Sequence, residues 1–219
     1  MSQKNKFILI VILLLSIGIC SAVYVRNSIY QFTLDTFKEL TPNMTYRPYE
    51  DIKYSNGSFL EVNDSLDIID KCQYIIIGKI TSEREVLSGA IKTKVEVLKT
   101  LKGDVNANQI YIYEPIDISL TINHVFTYEG YNLLQSDKEY ILCLSNTIEG
   151  VYMFTTPLLA KFPLNHNSED FLIISEKELE EKSEYINYEN YEQLFPTKER
   201  YNLYLSTYNK LHKLLDSSQ

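Results

Sequence analysis

The chain has 219 residues, 45% of them hydrophobic, and a formal net charge of −8. This length and composition are typical of one folded domain with short additions, and they exclude a chain that is disordered throughout. The negative charge argues against a nucleic-acid partner, because binding to phosphates requires a basic face.

The first element is an uncharged run from Phe7 to Val25, which is preceded by Lys4 and Lys6 and closed by Arg26. A helix over this run is about 28 Å long, which is enough to cross the hydrocarbon core of a bilayer. The lysines favour a cytoplasmic N-terminus. Residues 1–26 are therefore predicted to be a single-pass anchor in the cell membrane, with the rest of the chain outside.

Two other fates of this run remain open. Small residues at Cys20, Ser21 and Ala22 suit a signal peptidase, and cleavage near Ala22 would secrete the chain. Lipoprotein processing at Cys20 is less favoured, because Ile19 occupies a position where such signals have a small residue. The alternatives differ in whether the anchor is kept, and all of them predict an extracytoplasmic chain.

Residues 27–60 contain Pro42, Pro48 and the turn dipeptide Asn56-Gly57 without a sustained hydrophobic period. Such a pattern is typical of a connecting segment. We therefore expect residues 27–60 to be an extracytoplasmic spacer between the membrane and the folded domain.

The domain itself is predicted at residues 61–165. A short helix over residues 64–70 comes first, and Gly78 interrupts the apolar strand that follows, which suggests a bulge. Five or six short strands with turn residues between them predict a small antiparallel, OB-like β-barrel. The strand patterns lie at residues 73–81, 92–102, 109–113, 138–146 and 151–162.

Two cysteines in this domain, Cys72 and Cys143, are the only candidates for a disulfide in the exported part, because Cys20 lies in the apolar run. Cys143 stands in the apolar strand pattern EYILCL, where a free cysteine behaves as a small hydrophobic residue. Free thiols and a single bridge are both left open. One bridge would not amount to a disulfide framework.

Residues 166–219 form a different, acidic and helical segment. Nine acidic residues against Lys177 and Lys182 give residues 168–193 a net charge of −7. We expect a solvated helical face there, with a site for cations or a basic partner as the alternative. Ser175 to Glu178 has the sequence of a capping box, which marks a helix start.

The last helix is predicted after Pro196, with apolar side chains recurring at helical spacing. This stripe is expected to pack on the barrel. If it does not, its exposed side chains would form a surface for a partner, and the candidates for that surface are Tyr201, Tyr204, Leu205 and Tyr208.

Motifs of known chemistry are absent from the sequence. The glycines are too dispersed for a phosphate-binding loop, no two histidines have the spacing of a zinc site, and no serine lies in a G-x-S-x-G elbow. No catalytic, cofactor-binding or metal-binding residue is therefore predicted. Three acidic residues close to the loop that holds His124 are attributed to surface solubility: Glu114, Asp117 and Glu129.

The order of the strand phrases, CQYIIIGKIT, VEVLKTLKGD, QIYIY and DKEYILCLS, resembles that of exported bacterial proteins of uncharacterised function. The resemblance covers about residues 70 to 146 and implies a small β-barrel. More remotely, such a barrel is similar to the OB-type netrin-like domain of tissue inhibitors of metalloproteinases. Those inhibitors chelate zinc through a free N-terminal cysteine, and this chain departs from that pattern, since cleavage after Ala22 would expose Val23.

The sequence thus predicts a membrane-tethered, extracytoplasmic binding or interaction module for an unknown protein or ligand. A secreted cell-surface hydrolase or protease inhibitor is the alternative. The two differ at the N-terminus, which stays in the membrane in the first case and is removed in the second.

Overall fold

Apart from isolated positions nearer the N-terminus, the computed structural model describes residues 43–49, 65–87, 89–181 and 183–217. The chain divides into two units, Met1–Phe32 and Thr33–Gln219, and every element given below belongs to the second. The membrane helix predicted at 7–25 falls outside the described residues except at isolated positions. Within the part of the chain that is described, no helix has the length and apolarity needed to cross a bilayer.

Strands predominate over helices in the described residues, so the prediction of a mainly β fold with C-terminal helices is confirmed. The elements in chain order are β1 (Thr45–Tyr49), α1 (Ser65–Lys71), β2 (Tyr74–Leu87), β3 (Ala90–Lys102), β4 (Gln109–Glu114), β5 (Ile116–Ser119), β6 (His124–Tyr128), β7 (Glu139–Ile148), β8 (Val151–Phe154), β9 (Lys161–Pro163), β10 (Phe171–Ile173), α2 (Glu176–Glu181), β11 (Gln193–Phe195) and α3 (Lys198–Ser217).

The largest sheet has six strands in the order β2-β3-β4-β8-β7-β9, and β2 also pairs with β7. The pairing of β4 with β8 is parallel, which corrects the prediction of purely antiparallel strands, whereas the other pairings within this sheet are antiparallel. Side chains alternate along β3, with Thr93 and Val95 buried while Lys94 and Glu96 are half-exposed. At β3 the sheet therefore has one face in the core and one partly exposed face, whereas consecutive residues are buried in the middle of β2 and of β7.

The bulge predicted at Gly78 is confirmed by a register shift between Ile77 and Gly78 in the pairing of β2 with β3. A Cβ atom at Gly78 would lie only 2.6 Å from Cγ1 of Val95 and 3.0 Å from the carbonyl oxygen of Glu96. Glycine is needed here because the two strands approach too closely for a side chain.

A second sheet has the order β1-β6-β5, and β1 runs parallel to β6. On its other side, the N–H of Tyr46 donates to the carbonyl of Ser183 (2.5 Å), and the N–H of Tyr185 donates to that of Met44 (2.9 Å). Tyr46 is only 1% exposed. A strand held on both sides thus lies within residues 27–60, where a spacer was expected.

The C-terminal segment packs on the main sheet. The capping box forms as predicted, with the N–H of Ser175 donating to the carboxylate of Glu178 (3.0 Å) and the N–H of Glu178 donating to the hydroxyl of Ser175 (3.4 Å). In α3, Tyr204 and Leu211 join the same core cluster as Ile75 of β2 and Ile141 of β7. The expectation that the apolar stripe of the last helix packs on the sheet is therefore confirmed.

Candidate functional site

A buried carboxylate, Glu114, lies at the end of β4 with its side chain fully enclosed. Strand alternation explains its direction, since Glu114 follows the inward-facing Ile112 by two residues. Its Oε2 accepts hydrogen bonds from the hydroxyl of Tyr131 (2.9 Å) and the N–H of Leu134 (2.8 Å), and its Oε1 accepts from the hydroxyl of Thr93. Both oxygens are therefore bound by the protein.

Arg84 of β2 completes the surroundings of this carboxylate. Its Nη2 lies 3.0 Å from Oε1 of Glu114 and donates to the carbonyl of Leu134 (2.5 Å), while its Nε donates to the hydroxyl of Thr93 (3.2 Å). The Arg84 side chain is only 4% exposed. A single guanidinium thus joins β2, β3, β4 and the loop that follows residue 130.

A second buried carboxylate, Glu192, lies just before β11. Its Oε2 is 2.7 Å from Nζ of Lys161, and its Oε1 accepts from the hydroxyl of Tyr140 (2.9 Å) and lies 3.1 Å from Nζ of Lys138. Lys161 also donates to the carbonyl of Leu133 (3.1 Å). The carboxylate of Glu192 therefore binds two lysines at once.

The two carboxylates belong to one ionic cluster, because Nζ of Lys161 lies 5.1 Å from the ring centroid of Tyr131 and 5.4 Å from that of Tyr140. Tyr131 binds Glu114 and Tyr140 binds Glu192. We refer to Arg84, Glu114, Tyr131, Lys138, Tyr140, Lys161 and Glu192 as the ionic cluster.

Burial and charge act on the pKa values of this cluster in different directions. Burial lowers the pKa of Lys161, and the attraction of Glu192 only partly offsets it. Burial would raise the pKa of Glu192, but Lys161 and Lys138 together hold that pKa below its ordinary value. Burial and the charge of Glu114 raise the pKa of Tyr131, and burial and the charge of Glu192 raise that of Tyr140. The charged carboxylate and neutral phenol forms are thus favoured.

The ionic cluster joins Glu192 of the C-terminal segment to Lys161 and Tyr140 of the main sheet, and it therefore holds this segment to the sheet.

A general acid or base must present an atom that a substrate can reach. Here the oxygens of Glu114 and Glu192 are bound by groups of the chain itself. Among the residues that the structure describes, no group of three or more His, Cys, Asp or Glu side chains is placed to hold a metal ion.

The position of Glu114 corrects the expectation that the acidic residues near His124 serve solubility, because Glu114 is 0% exposed. Among the described residues of the acidic segment, only Glu192 departs in this way from the expected solvated face, since it is 0% exposed. Glu169, Glu178, Glu181 and Glu184 are exposed, as expected. Glu129 accepts from the hydroxyl of Thr156 (2.9 Å), and Asp117 accepts from the N–H of Gly89 (2.9 Å). The four carboxylates of Glu114, Asp117, Glu129 and Glu192 thus have bonds within the fold.

One sequence signal could have indicated the cluster. Lys161 follows the apolar run PLLA and precedes Phe162, and Glu114 ends the strand QIYIYE. Charged residues are rarely buried unless they are paired. A lysine and a glutamate inside apolar phrases therefore indicate a buried ion pair, although the sequence does not show which residues are paired.

The two candidates for a disulfide lie beside each other in the core. Cys72 is 1% exposed and Cys143 is 0% exposed, and both are free thiols in this structure. The two side chains belong to one core cluster, and the hydroxyl of Thr155 donates to Sγ of Cys72 (3.4 Å). The fold therefore brings together the two cysteines that the sequence placed far apart.

The candidate partner surface on α3 is largely turned inward. Tyr204 is 1% exposed, and its hydroxyl donates to the carbonyl of Lys161 (3.1 Å). Tyr208 is half-buried and donates to the carbonyl of Leu164 (3.2 Å). Tyr201 and Leu205 are also half-buried, and Tyr201 packs against the core. Tyr204 is thus inaccessible to a partner, and the other three are only partly accessible.

The histidines do not converge on a site. His124 lies at the start of β6 and stacks on Phe126, with 5.6 Å between ring centroids. His166 and His212 both pack against the ring of Tyr208, at centroid distances of 5.1 and 4.1 Å. Burial lowers the pKa of His166 and His212, and proximity to His166 lowers that of His212 further. Both are thus favoured as neutral rings.

The outer face of β2 and β3 has charges of both signs. Tyr111 of β4 lies beside them, with Nζ of Lys92 4.8 Å from its ring centroid. Three lysines of this face each pair with a glutamate on the adjacent strand, which offsets their positive charge. The pairs are Lys79–Glu96 (3.4 Å), Lys92–Glu85 (3.6 Å) and Lys94–Glu83 (2.8 Å).

No family model matches this chain, and no curated protein matches it significantly.

Proposed function

We propose that the protein is a membrane-tethered, extracytoplasmic binding or interaction module, built on a five-stranded OB-like barrel and anchored by residues 7–25. The pairings support the barrel, because they run from β2 through β3, β4, β8 and β7 and return to β2. Such a closed cycle of five strands is the arrangement of an OB-type barrel. The lysines before residue 7 and the uncharged run support the tether.

The observation that carries the binding role is the turn between β5 and β6. Turns usually consist of polar residues and glycine. This turn instead exposes Leu120 (48%) and Ile122 (53%), two aliphatic side chains only two positions apart. The pairing of Thr45 with His124 places the turn at the end of the sheet where β1 begins. We name Leu120, Thr121, Ile122 and Asn123 the apolar turn and assign it as the contact surface.

Other features support a binding role over a reaction. The carboxylates of the ionic cluster are bound by the chain itself. Cys72 is 1% exposed, so its sulfur cannot reach the zinc of a target protease. On β2 and β3, three lysines are paired with glutamates, which reduces the positive charge that this surface offers to phosphates.

The binding role is tested by photo-crosslinking of the full chain in its own membranes. A photoreactive residue replaces Ile122 in one variant and Ile148, which is 51% exposed in a different turn, in the control. We expect a discrete crosslinked product from position 122 and none from position 148. Leu120→Ser should remove that product. Equal crosslinking at both positions, or none at 122, would contradict the assignment.

The topology is tested separately with a C-terminal tag on the full chain. Protease added to intact cells should remove the tag, and the anchor should keep the N-terminus in washed membranes. A protected tag would contradict the extracytoplasmic location. A mature form that starts at Val23 in the medium would instead support secretion.

A further inference from the structure

The two buried thiols of the core are held in a defined relation by the elements that carry them. Cys72 follows α1 directly, and its N–H donates to the carbonyl of Ile68 (2.8 Å). Cys143 lies in β7 opposite Ile75 of β2. The hydroxyl of Thr155 donates to Sγ of Cys72 (3.4 Å), and the N–H of Thr155 donates to the carbonyl of Cys143 (3.1 Å). Thr155 thus contacts both cysteines, and both lie in the same core cluster.

The two thiols differ in acidity. The hydrogen bond from Cys143 is the main cause that lowers the pKa of Cys72, and the hydroxyl of Thr155 adds to it against the effect of burial. The pKa of Cys143 is raised, first by that same hydrogen bond and then by burial. Because the thiolate is the attacking species in disulfide exchange, Cys72 is the nucleophile of the pair.

We propose that Cys72 and Cys143 form a disulfide bond in the exported protein. The proposal rests on the proposed extracytoplasmic location, because such compartments supply disulfide oxidants and the cytosol does not. The oxidant is a disulfide of a thiol–disulfide oxidoreductase or a small disulfide such as glutathione disulfide. The bond closes late in folding, when the two thiols already lie together but the core does not yet enclose both sulfurs as it does in the folded protein.

The exchange has two balanced steps. The Cys72 thiolate attacks one sulfur of the oxidant, which forms a mixed disulfide and releases the other sulfur as a thiolate that takes a proton. The Cys143 thiol then loses its proton and attacks Sγ of Cys72, which releases the second oxidant sulfur as a thiol. Two protein thiols are oxidised to one disulfide, and one oxidant disulfide is reduced to two thiols.

The bond would fix α1 to the middle of β7 and close a loop that contains β2 to β6. In the loop-entropy description, a bridge across a long loop restricts the unfolded chain more than one across a short loop. The oxidised protein should therefore melt at a higher temperature than the same protein after reduction. The variant with serine at both positions should show no such difference.

The test uses the tagged full chain with Cys20→Ser, so that Cys72 and Cys143 are its only thiols. Cells are quenched in acid, and the unfolded protein is treated with a maleimide that carries a polyethylene-glycol chain. We expect no adduct before reduction and two adducts after it. Adding Cys143→Ser should give one adduct with or without reduction. Two adducts without prior reduction would overturn the proposal. It would also be overturned if Cys72 of the Cys143→Ser chain formed no adduct before reduction.

A protease treatment of the same cells separates this result from the proposed location. If the tag is digested, the adduct count decides directly. If the tag is protected, the location is wrong, and the purified full chain is refolded in detergent with glutathione disulfide. Loss of both adducts, with a peptide that links residues 72 and 143, then supports the bond. Two adducts after refolding would overturn it.

Discussion

Replacement of Glu192 by glutamine should destabilise the protein strongly, because it removes the charge that two lysines share. Lys161 is 1% exposed and lies 2.7 Å from Glu192, so it would be left as a buried cation without a carboxylate partner at that position. Breaking a buried ion pair costs about 3–5 kcal/mol. For a domain of this size the melting temperature should fall by roughly 6–20 °C.

Replacement of the partner lysine should cost less. In Lys161→Met the carboxylate of Glu192 keeps Lys138 at 3.1 Å and the hydroxyl of Tyr140 at 2.9 Å. Methionine also fills much of the space of the lysine chain. We expect a loss of about 1–2 kcal/mol, mainly from the hydrogen bond to the carbonyl of Leu133. The two partners of one ion pair are thus expected to differ in their effect.

Thermal melting of the purified full chain, followed by circular dichroism, compares the parent with both single variants and the double variant. The double variant should melt above Glu192→Gln, because the buried cation is then absent. A melting temperature of Glu192→Gln within about 2 °C of the parent, which corresponds to less than about 1 kcal/mol, would contradict a strong contribution of this charge. Lower stability of Lys161→Met than of Glu192→Gln would contradict the expected difference between the two partners.

Two further predictions concern a glycine and the histidine pair. A side chain at positive φ costs about 1–2 kcal/mol. Gly130→Ala should cost more than that, because the Cβ of the alanine would lie 2.0 Å from the carbonyl oxygen of Leu194. Gly150→Ala, also at positive φ but with nothing within 4 Å, should cost only that strain in a urea titration. The free energy of unfolding should fall as the pH is lowered from about 7 to 5.5. Burial lowers the pKa of His166 and His212 below 6.5, so these histidines bind protons more readily in the unfolded chain than in the folded protein.

Each of these predictions has a control. If Gly130→Ala and Gly150→Ala lower the free energy of unfolding equally, the close approach of β11 does not restrict the side chain at residue 130. For the histidines, the variant with glutamine at both positions should lose most of the pH dependence in this window. An unchanged pH profile in that variant would assign the effect to other groups.

The sequence predicted elements with strong local patterns. Alternation along β3 and the spacing of Tyr204 and Leu211 in α3 appear in the sequence because one face of each element is buried. The bulge at Gly78 is predictable because a glycine inside an apolar strand often marks a bulge or a close approach of two backbones. These features depend on residues that are close in the chain.

The parts that escaped prediction depend on distant partners. β1 contains Arg47 and Pro48, and it is a strand because β6 pairs with it in parallel. Burial of Glu114 and Glu192 follows from positions that only the folded chain brings together, such as Arg84 beside Glu114. A charged residue is predicted to be exposed unless its partner is known. Pairing at long range was therefore the missing information.

The place of β1 between β6 and residues 183–185 has a consequence for the order of events during synthesis. β1 is made before either of its neighbours, so it has no strand partner until β6 emerges, and the bonds of Met44 and Tyr46 to residues 183–185 form only when most of the chain has emerged. Contacts between distant residues form slowly because a long loop must close first. The earliest of these strands to leave the ribosome is thus among the last to be placed, and a chain that ends before residue 183 leaves one edge of β1 open.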